Sequence, residues 1–348
     1  MNARAAIAAA LLAALLFGAS TPFAKLLAGR VSPIMLAGLL YLGSGLGLSA
    51  LRVLRDRGYR SAGLPASEWP WLLGAIACGG MLAPVLLMVG LARIEASSAA
   101  LLLNLEAVFT ALLAWVVFRE NAGKRLVLGM ILIVAGGVTL SGLPVAAGHQ
   151  ALPGMLAIVA ACLCWGLDNN LTRRVCGADA LFVAAIKGLA AGFTNLLLAL
   201  LFGAHLPAAG VTGMAMSVGL LGYGLSLALY VLALRGLGSA RTGAYFSTAP
   251  FLGAAIAIVL FESGVPTMFW LSAALMAVGV WLHLTEHHEH QHTHESLSHA
   301  HPHRHDEHHQ HAHESLWQGE EPHTHEHEHE AVTHRHAHFP DLHHRHDH

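Results

Sequence analysis

The sequence predicts an all-α integral membrane protein with ten transmembrane helices, arranged as two inverted five-helix repeats and followed by a disordered cytoplasmic tail. Three observations lead to this fold class. Long apolar stretches fill residues 1–286, motifs of the first half return in the second half, and histidine dominates from residue 287 onward.

Charged side chains are too sparse in residues 1–286 to cover a soluble protein of that size. The chain has 19 Lys and Arg and 21 Asp and Glu, of which only 16 and 9 lie before residue 287. Soluble domains carry charges on about a quarter of their residues. We therefore expect this part of the chain to lie in lipid.

Ten apolar stretches are long enough to cross a bilayer as helices. About 20 apolar residues cross about 30 Å of hydrocarbon as a helix. The stretches lack the alternating pattern of a membrane barrel, and an open sheet would leave backbone groups unpaired in lipid. The predicted spans are 5–28, 33–54, 69–91, 96–118, 125–142, 153–175, 180–202, 211–234, 239–260 and 266–284.

The basic residues predict the orientation. Cytoplasmic loops are enriched in Lys and Arg, and a cytoplasmic N-terminus leaves only Arg30 and Arg93 outside. An even number of helices then places both termini in the cytoplasm, with the body integral to the inner or plasma membrane. The basic residues on the predicted inner side are Arg4, Arg52, Arg55, Arg57, Arg60, Arg119, Lys124, Arg125, Arg173, Arg174, Arg235 and Arg241.

The second half repeats the first. Phe17-Gly18 recurs as Trp165-Gly166 at an offset of 148. Five helices per copy force the second copy to enter the membrane upside down, and inverted repeats of this kind surround the central site of secondary transporters. The predicted domains are 1–145, 146–286 and the tail 287–348. At an offset of 142, Arg93, Ser97, Ala107, Phe109, Val117 and Glu120 recur as Arg235, Ser239, Ala249, Phe251, Val259 and Glu262.

These motifs resemble those of the EamA-type carriers in the drug/metabolite transporter superfamily, over about residues 5–285. The resemblance lies in Phe17-Gly18 to Lys25, in Leu105 to Leu112 running on to Arg119-Glu120, and in Ala249-Pro250-Phe251 running on to Phe261-Glu262. It implies export or exchange of small metabolites, amino acids and their relatives, without ATP hydrolysis. Ala107 stands where the first repeat of that family commonly has proline, whereas the second repeat keeps Pro250, so proline does not predict equal kinks in helices 4 and 9.

Ionisable residues inside a membrane are functional candidates because they are costly unless paired or wetted. Glu106 lies near the middle of helix 4, where it could titrate in a proton-coupled cycle, bind a cationic group or serve as a structural partner. Lys25 follows Pro22 in helix 1, where it could bind a substrate carboxylate or reach the outer interface.

Polar residues in helices 6 and 7 form a second group of candidates. Asp168 and Asn169 belong to a polar turn that could face substrate or bond to neighbouring helices. Lys187 and Asn195 are eight residues apart and share a helix face. In helix 9, Arg241, Tyr245 and Thr248 follow a helical spacing, and Thr248 occupies the repeat position of Glu106.

The tail predicts transition-metal binding. Three of the 27 histidines precede residue 287, so 24 lie in the tail, where HxH and HH units predominate. Imidazole that is neutral at cytoplasmic pH binds Ni, Co, Zn or Cu, although such an extension could also be irrelevant to transport. The candidate ligands are His287, His288, His290, His292, His294, His299, His301, His303, His305, His308, His309, His311, His313, His323, His325, His327 and His329.

No motif of an ATPase or a hydrolase occurs, so we expect no enzyme activity and no required cofactor. The favoured function is secondary-active export of a small metabolite, with the tail as a metal-binding accessory. The alternatives are export of metal ions or chelates, and a membrane-tethered metal store or sensor. The expected partners are a small-molecule substrate, transition metals and the lipid bilayer, with no nucleic acid. A monomer and a homodimer both stay open.

Overall fold

The computed structural model of the chain describes residues 3–57, 61–117, 123–141, 151–175, 178–261 and 264–285, and four tail segments at 288–294, 297–303, 323–329 and 332–338. The chain divides into two compact units, Met1–Glu286 and His287–His348. We describe each unit by itself.

The first half of the membrane body begins with two long helices and continues with shorter, interrupted ones. Helix α2 starts at a Ser32 cap, whose hydroxyl accepts a hydrogen bond from the Met35 amide at 3.3 Å. The elements are α1 (Ala3–Leu27), α2 (Pro33–Asp56), a 3-10 turn (Ala66–Glu68), α3 (Trp69–Ala75), a first π segment (Ile76–Leu82), α4 (Ala83–Leu91), α5 (Ala96–Leu102), α6 (Leu105–Val117) and α7 (Lys124–Ser141).

The second half follows the same plan. Helix α9 starts at Asp179, whose carboxylate accepts from the Phe182 amide at 2.8 Å. The elements are α8 (Ala151–Thr172), a 3-10 turn (Arg173–Val175), α9 (Ala180–Leu201), α10 (Ala209–Gly219), a second π segment (Leu220–Leu225), α11 (Ser226–Phe246), α12 (Ala249–Phe261) and α13 (Thr267–Leu284).

The protein is an integral membrane protein. Among the described residues, eight helical runs are long and apolar enough to span a bilayer, which confirms eight of the predicted spans by length and composition. The predicted spans 125–142 and 239–260 correspond to α7 and to the end of α11 with the shorter apolar helix α12. The eight runs are Arg4–Leu27, Pro33–Asp56, Ala66–Leu91, Ala96–Val117, Leu152–Thr172, Ala180–Leu201, Ala209–Ala233 and Thr267–Leu284.

Equivalent helices of the two halves pack antiparallel. Arg55 in the last turn of α2 donates to Asp179 at the start of α9 at 2.6 Å. Likewise Arg125 at the start of α7 donates to the Thr285 carbonyl after α13 at 3.5 Å. Since α2 and α9 are the second helices of their repeats, and α7 and α13 the fifth, this packing is the geometry expected of inverted copies.

Close backbone approach allows these pairs to pack tightly. A Cβ atom on Gly279 in α13 would lie 2.7 Å from the Gly129 carbonyl oxygen in α7, and one on Gly188 in α9 would lie 2.7 Å from the Gly45 Cα in α2. Real Cβ atoms do not approach so closely, so glycine is required at these crossings. Small residues let membrane helices associate through van der Waals contact and not through a hydrophobic drive.

Both halves contain a broken helix where a continuous span was predicted. The predicted span 96–118 is interrupted at Leu103-Asn104, and helix α11 runs through the predicted 235–238 loop before the chain breaks at Ser247-Thr248. The absence of proline at Ala107 left a symmetrical kink in doubt, and the structure interrupts both helices. A proline disrupts the turn before it, as at Pro250, but the first half breaks before Ala107 without one, so a proline is not required for the break.

The tail contains four strands in two antiparallel pairs. Strand β1 (His288–His294) pairs with β4 (Val332–His338), and β2 (Leu297–His303) pairs with β3 (His323–His329). This differs from the predicted absence of regular structure. The HxH spacing has the period of a strand, and the register sets histidine opposite histidine, as at His290 and His336. The candidate ligands His287, His305, His308, His309, His311 and His313 lie outside the described residues.

Candidate substrate site

A buried ion pair joins α8 to α9. Lys187 Nζ lies 2.5 Å from Asp168 Oδ1, and Thr172 donates to the same carboxylate oxygen at 2.9 Å. The side chains are 17% and 9% exposed for Lys187 and Asp168. A paired lysine and aspartate with added hydrogen bonds can persist in a membrane interior, where a lone charge would be costly. The predicted candidates Asp168 and Lys187 therefore satisfy each other.

The first π segment makes room for this pair. A Cβ atom on Gly79 would overlap the Asp168 carboxylate, so only glycine leaves the space that the aspartate occupies. A π turn closes its bonds over five residues, as seen where the Ala83 amide donates to the Cys78 carbonyl. This wider turn is common at functional sites.

Carbonyl groups of the π segment bind side chains from three other helices. The Gly79 carbonyl accepts from the Tyr41 hydroxyl at 3.1 Å and from Trp165 Nε1 at 3.0 Å. The Met81 carbonyl accepts from Asn195 Nδ2 at 3.2 Å. The predicted candidate Asn195 therefore has a structural contact in the site: its side-chain amide binds the backbone of the π segment.

Glu106 lies on the other side of α8, in the first turn of α6. Asn169 Nδ2 donates to Glu106 Oε1 at 2.9 Å and to the Thr110 hydroxyl at 3.1 Å. Among the side chains that the structure describes, no cationic group lies within ion-pair distance of this carboxylate. The carboxylate thus accepts from an asparagine amide and is paired with no described cation.

Asn169 is the exposed end of an otherwise buried stripe of α8. Residues Ile158, Cys162, Trp165 and Asn169 follow one stripe of α8 at helical spacing. Ile158 and Cys162 are fully buried and Trp165 is 9% exposed, whereas Asn169 is exposed. The stripe is buried as far as Trp165, and its exposed end at Asn169 is hydrogen-bonded to Glu106 and Thr110.

Asn170 contributes a buried acceptor to the same turn of α8. Its Nδ2 donates to the Gly166 carbonyl at 2.8 Å and to the Thr110 carbonyl at 3.1 Å, so the amide orientation is fixed by two acceptors. The residue is 3% exposed, and its Oδ1 has no hydrogen-bond partner in the described structure. A buried acceptor without a donor is uncommon in folded proteins and calls for an explanation.

A row of aromatic rings leads away from this group. Tyr41 packs against Tyr223 at 5.6 Å between ring centroids, Tyr223 against Phe17 at 5.9 Å, and Phe17 against Phe246 at 5.3 Å. Tyr230 extends the row, 4.9 Å from Phe246. These five rings are half-buried. Tyr223 belongs to the second π segment, so the row connects the two symmetry-related π segments through Tyr41.

Lys25 is placed apart from the ion pair. Its ammonium donates to the Leu91 carbonyl at 2.6 Å and to the Ile94 carbonyl at 2.7 Å. These carbonyls belong to the end of α4, where a cation satisfies unpaired acceptors and the helix dipole. Lys25 therefore connects the end of α1 to the end of α4.

The helix 9 candidates lie at the second break. Thr248 donates its hydroxyl to the Tyr245 carbonyl at 2.6 Å. Tyr245 is half-buried, and the side chain of Arg241 lies outside the described part of the structure. The structure thus brings together Glu106 and Asn169, and Asp168 and Lys187, and leaves Lys25 elsewhere.

Two residues of this site, Tyr41 and Thr110, were not among the predicted candidates. Trp165 and Asn170 belong to the polar cluster predicted in helix 6. Trp165 lies one turn before Asn169, and Asn170 adjoins it in the same polar turn. Tyr41 and Thr110 are single polar groups in apolar helices, and only the tertiary contacts identify them.

Within the part of the membrane body that the structure describes, no three His, Cys, Asp or Glu side chains come together as a metal site. The body therefore offers no described ligand set for a metal cargo.

Comparison with known proteins agrees with this architecture. An uncharacterized transporter of Methanothermobacter thermautotrophicus is 26% identical over 286 residues, which cover 78% of this chain and 83% of the relative. A solved crystal structure superposes with a TM-score of 0.61 at 21% identity, over 79% of this chain and 95% of that one, and supports the fold. The profile of the EamA-like transporter family matches residues 4–142 and 152–285, and the chain belongs to that family of membrane transporters.

Proposed function

We propose that the chain is a secondary-active carrier that exports a small metabolite, amino-acid-like or related, by alternating access. The observation that carries this proposal is the exposed Asn169, which ends a buried face of α8 and donates a hydrogen bond to Glu106 beside the break in the fourth span. Broken helices at the interface of inverted repeats are where secondary transporters bind their substrates.

The arrangement favours a carrier over an anchor. The halves pack as antiparallel equivalents, and polar side chains meet at their interface although such groups are costly in lipid. A protein that served only as a membrane anchor would gain nothing from these costly buried polar groups. Both termini are proposed to face the cytoplasm, in keeping with the basic residues at the Arg55 and Arg125 end of the bundle.

Transport can be tested in proteoliposomes that contain the full chain and no ATP. Vesicles are loaded with a mixed panel of amines, amino acids and organic acids, and each solute is followed by mass spectrometry. We expect accelerated flux of at least one class, which Gly79→Leu abolishes because it displaces Asp168. A folded, inserted protein that moves no solute faster than empty vesicles would contradict the proposal.

For the tail we propose transition-metal binding that is accessory to transport. The register of β2 and β3 pairs His299 with His327 and His301 with His325, and opposed positions on paired strands are close enough for two side chains to share one ligand. Nickel titration of the full chain and of a truncation after Glu286 tests this. Equal stoichiometry for the two proteins would overturn it.

A further inference from the structure

We propose that, among the amino-acid-related metabolites of the proposed carrier function on which this inference rests, the substrate site selects a monocation with a flat apolar body and not a zwitterion. Glu106 would bind the ammonium group, and the ring row Tyr41, Tyr223, Phe17, Phe246 and Tyr230 would receive the body. The argument depends on which charges in the site are already satisfied.

Lys25 and Lys187, the candidate cations whose side chains the structure describes, are both occupied, which disfavours an anion or a zwitterion. Lys187 is bound to Asp168 and Thr172, and Lys25 is bound to the Leu91 and Ile94 carbonyls. A substrate carboxylate could displace either lysine only by leaving Asp168 or two helix-end carbonyls unpaired. An unpaired buried charge is strongly destabilising.

The site contains hydrogen-bond acceptors that lack donors. The described structure gives Glu106 one hydrogen-bond donor and no cation, and it leaves the buried Oδ1 of Asn170 with no partner. The amide hydrogens of both asparagines are already donated, to Glu106 and Thr110 and to two carbonyls. What is missing is a group with several donors and a positive charge, and an ammonium group supplies three donors and no acceptor.

The row of aromatic rings indicates that the uncharged part of the substrate is flat and apolar. Trp165, which shares the Gly79 carbonyl with Tyr41, lies one turn from Asn169 on the same stripe of α8. A molecule with its ammonium at Glu106 can therefore extend toward Tyr41 and Tyr223. Half-buried rings stack on flat apolar groups and attract cations through their faces.

Four indole compounds separate charge from shape: tryptamine (cation), tryptophan (zwitterion), indole-3-acetate (anion) and indole (neutral). Calorimetry on the purified full chain in detergent should give the strongest binding for tryptamine and at least about a tenfold weaker Kd for the other three. Tryptophan or indole-3-acetate binding as tightly as tryptamine would overturn the inference, and so would the absence of tryptamine binding.

Two variants assign the two parts of the site. Glu106→Gln keeps an oxygen for Asn169 and should weaken tryptamine binding about tenfold or more, leaving indole unchanged. Glu95→Gln, at an exposed carboxylate before α5, is the matched control and should bind like the original chain. Tyr223→Leu should weaken tryptamine severalfold and leave ethylamine unchanged, because only tryptamine has a ring to stack.

The solute panel distinguishes failure of this inference from failure of the carrier function. Flux of a zwitterion or an anion that does not depend on Glu106 would leave the carrier in place and remove its selectivity for cations. Flux of no solute would remove both.

Discussion

Asn104 and Thr248 stabilise the two helix breaks in the same way. Each residue donates a side-chain hydrogen bond to the carbonyl three positions earlier, Asn104 to Leu101 at 2.8 Å and Thr248 to Tyr245 at 2.6 Å. A local side-chain donor competes with the helix ladder for that carbonyl. The two halves therefore share the same side-chain hydrogen bond at the helix break, formed by two different residue types.

Removing these donors should destabilise the breaks. Asn104→Leu leaves the Leu101 carbonyl without its side-chain partner in a site where Asn104 is 4% exposed, so we expect a loss of about 1–3 kcal/mol. Thr248→Val should cost less, because Thr248 is only half-buried. Thermal unfolding in detergent checks the order of the two effects. A larger loss for Thr248→Val would contradict it.

The ion pair between Asp168 and Lys187 should behave as a coupled unit. Lys187→Met leaves the buried carboxylate without its cation and should cost about 3–5 kcal/mol. Asp168→Asn combined with Lys187→Met should recover much of that loss, because no isolated charge is left. A double-mutant cycle by thermal unfolding measures the coupling, and additive effects of the two changes would exclude a paired role.

Gly79 should tolerate no side chain. Gly79→Ala would place its Cβ against the Asp168 carboxylate, and such overpacking typically costs about 1–3 kcal/mol. Gly213→Ala in α10 is the matched control, since nothing lies within 4 Å of its added Cβ. It should be neutral or stabilising through helix propensity. Equal melting temperatures for the two variants would contradict the steric argument.

The sequence predicts the fold of this protein better than it predicts the contacts of the site. Apolar length predicts the spans, because lipid requires each span to satisfy its own backbone, and the repeat predicts that the two halves are inverted copies. The breaks at Asn104 and Thr248 escape that argument, since one polar side chain in an apolar run resembles many others. The polar turn at Asp168 and Asn169 is visible in the sequence, but their partners Lys187 and Glu106 come from other helices and are set by tertiary packing.

The pH dependence of stability should include a contribution from Asp179, which lies just outside the spanning helices. Burial raises the pKa of this carboxyl, but the Phe182 amide, Arg55 and Arg52 outweigh burial and hold the pKa below its ordinary value of 3.8. A lowered pKa in the folded state stabilises the fold above the unfolded value and loses that effect as pH falls through the folded value.

Asp179→Asn tests this contribution without removing the helix cap, because asparagine also caps helices well. The original chain should lose more of its melting temperature than the variant between pH 6 and pH 3. Asp56 also pairs with Arg52 and Arg55 and is present in both proteins, so the difference between the two profiles reports the change at Asp179. Parallel pH profiles for the two proteins would show that Asp179 contributes nothing.

Metal binding should depend on the residues after Glu286, and transport on the residues before it. The described membrane body gathers no three metal-ligating side chains, whereas most of the histidines follow residue 286. A chain truncated after Glu286 should therefore lose most of its nickel binding and keep solute flux in proteoliposomes, while Glu106→Gln should lose flux and keep nickel binding. If truncation also abolishes flux, or if nickel, cobalt or zinc tolerance of cells requires both the tail and Glu106, the tail delivers the cargo and metal export replaces metabolite export as the function.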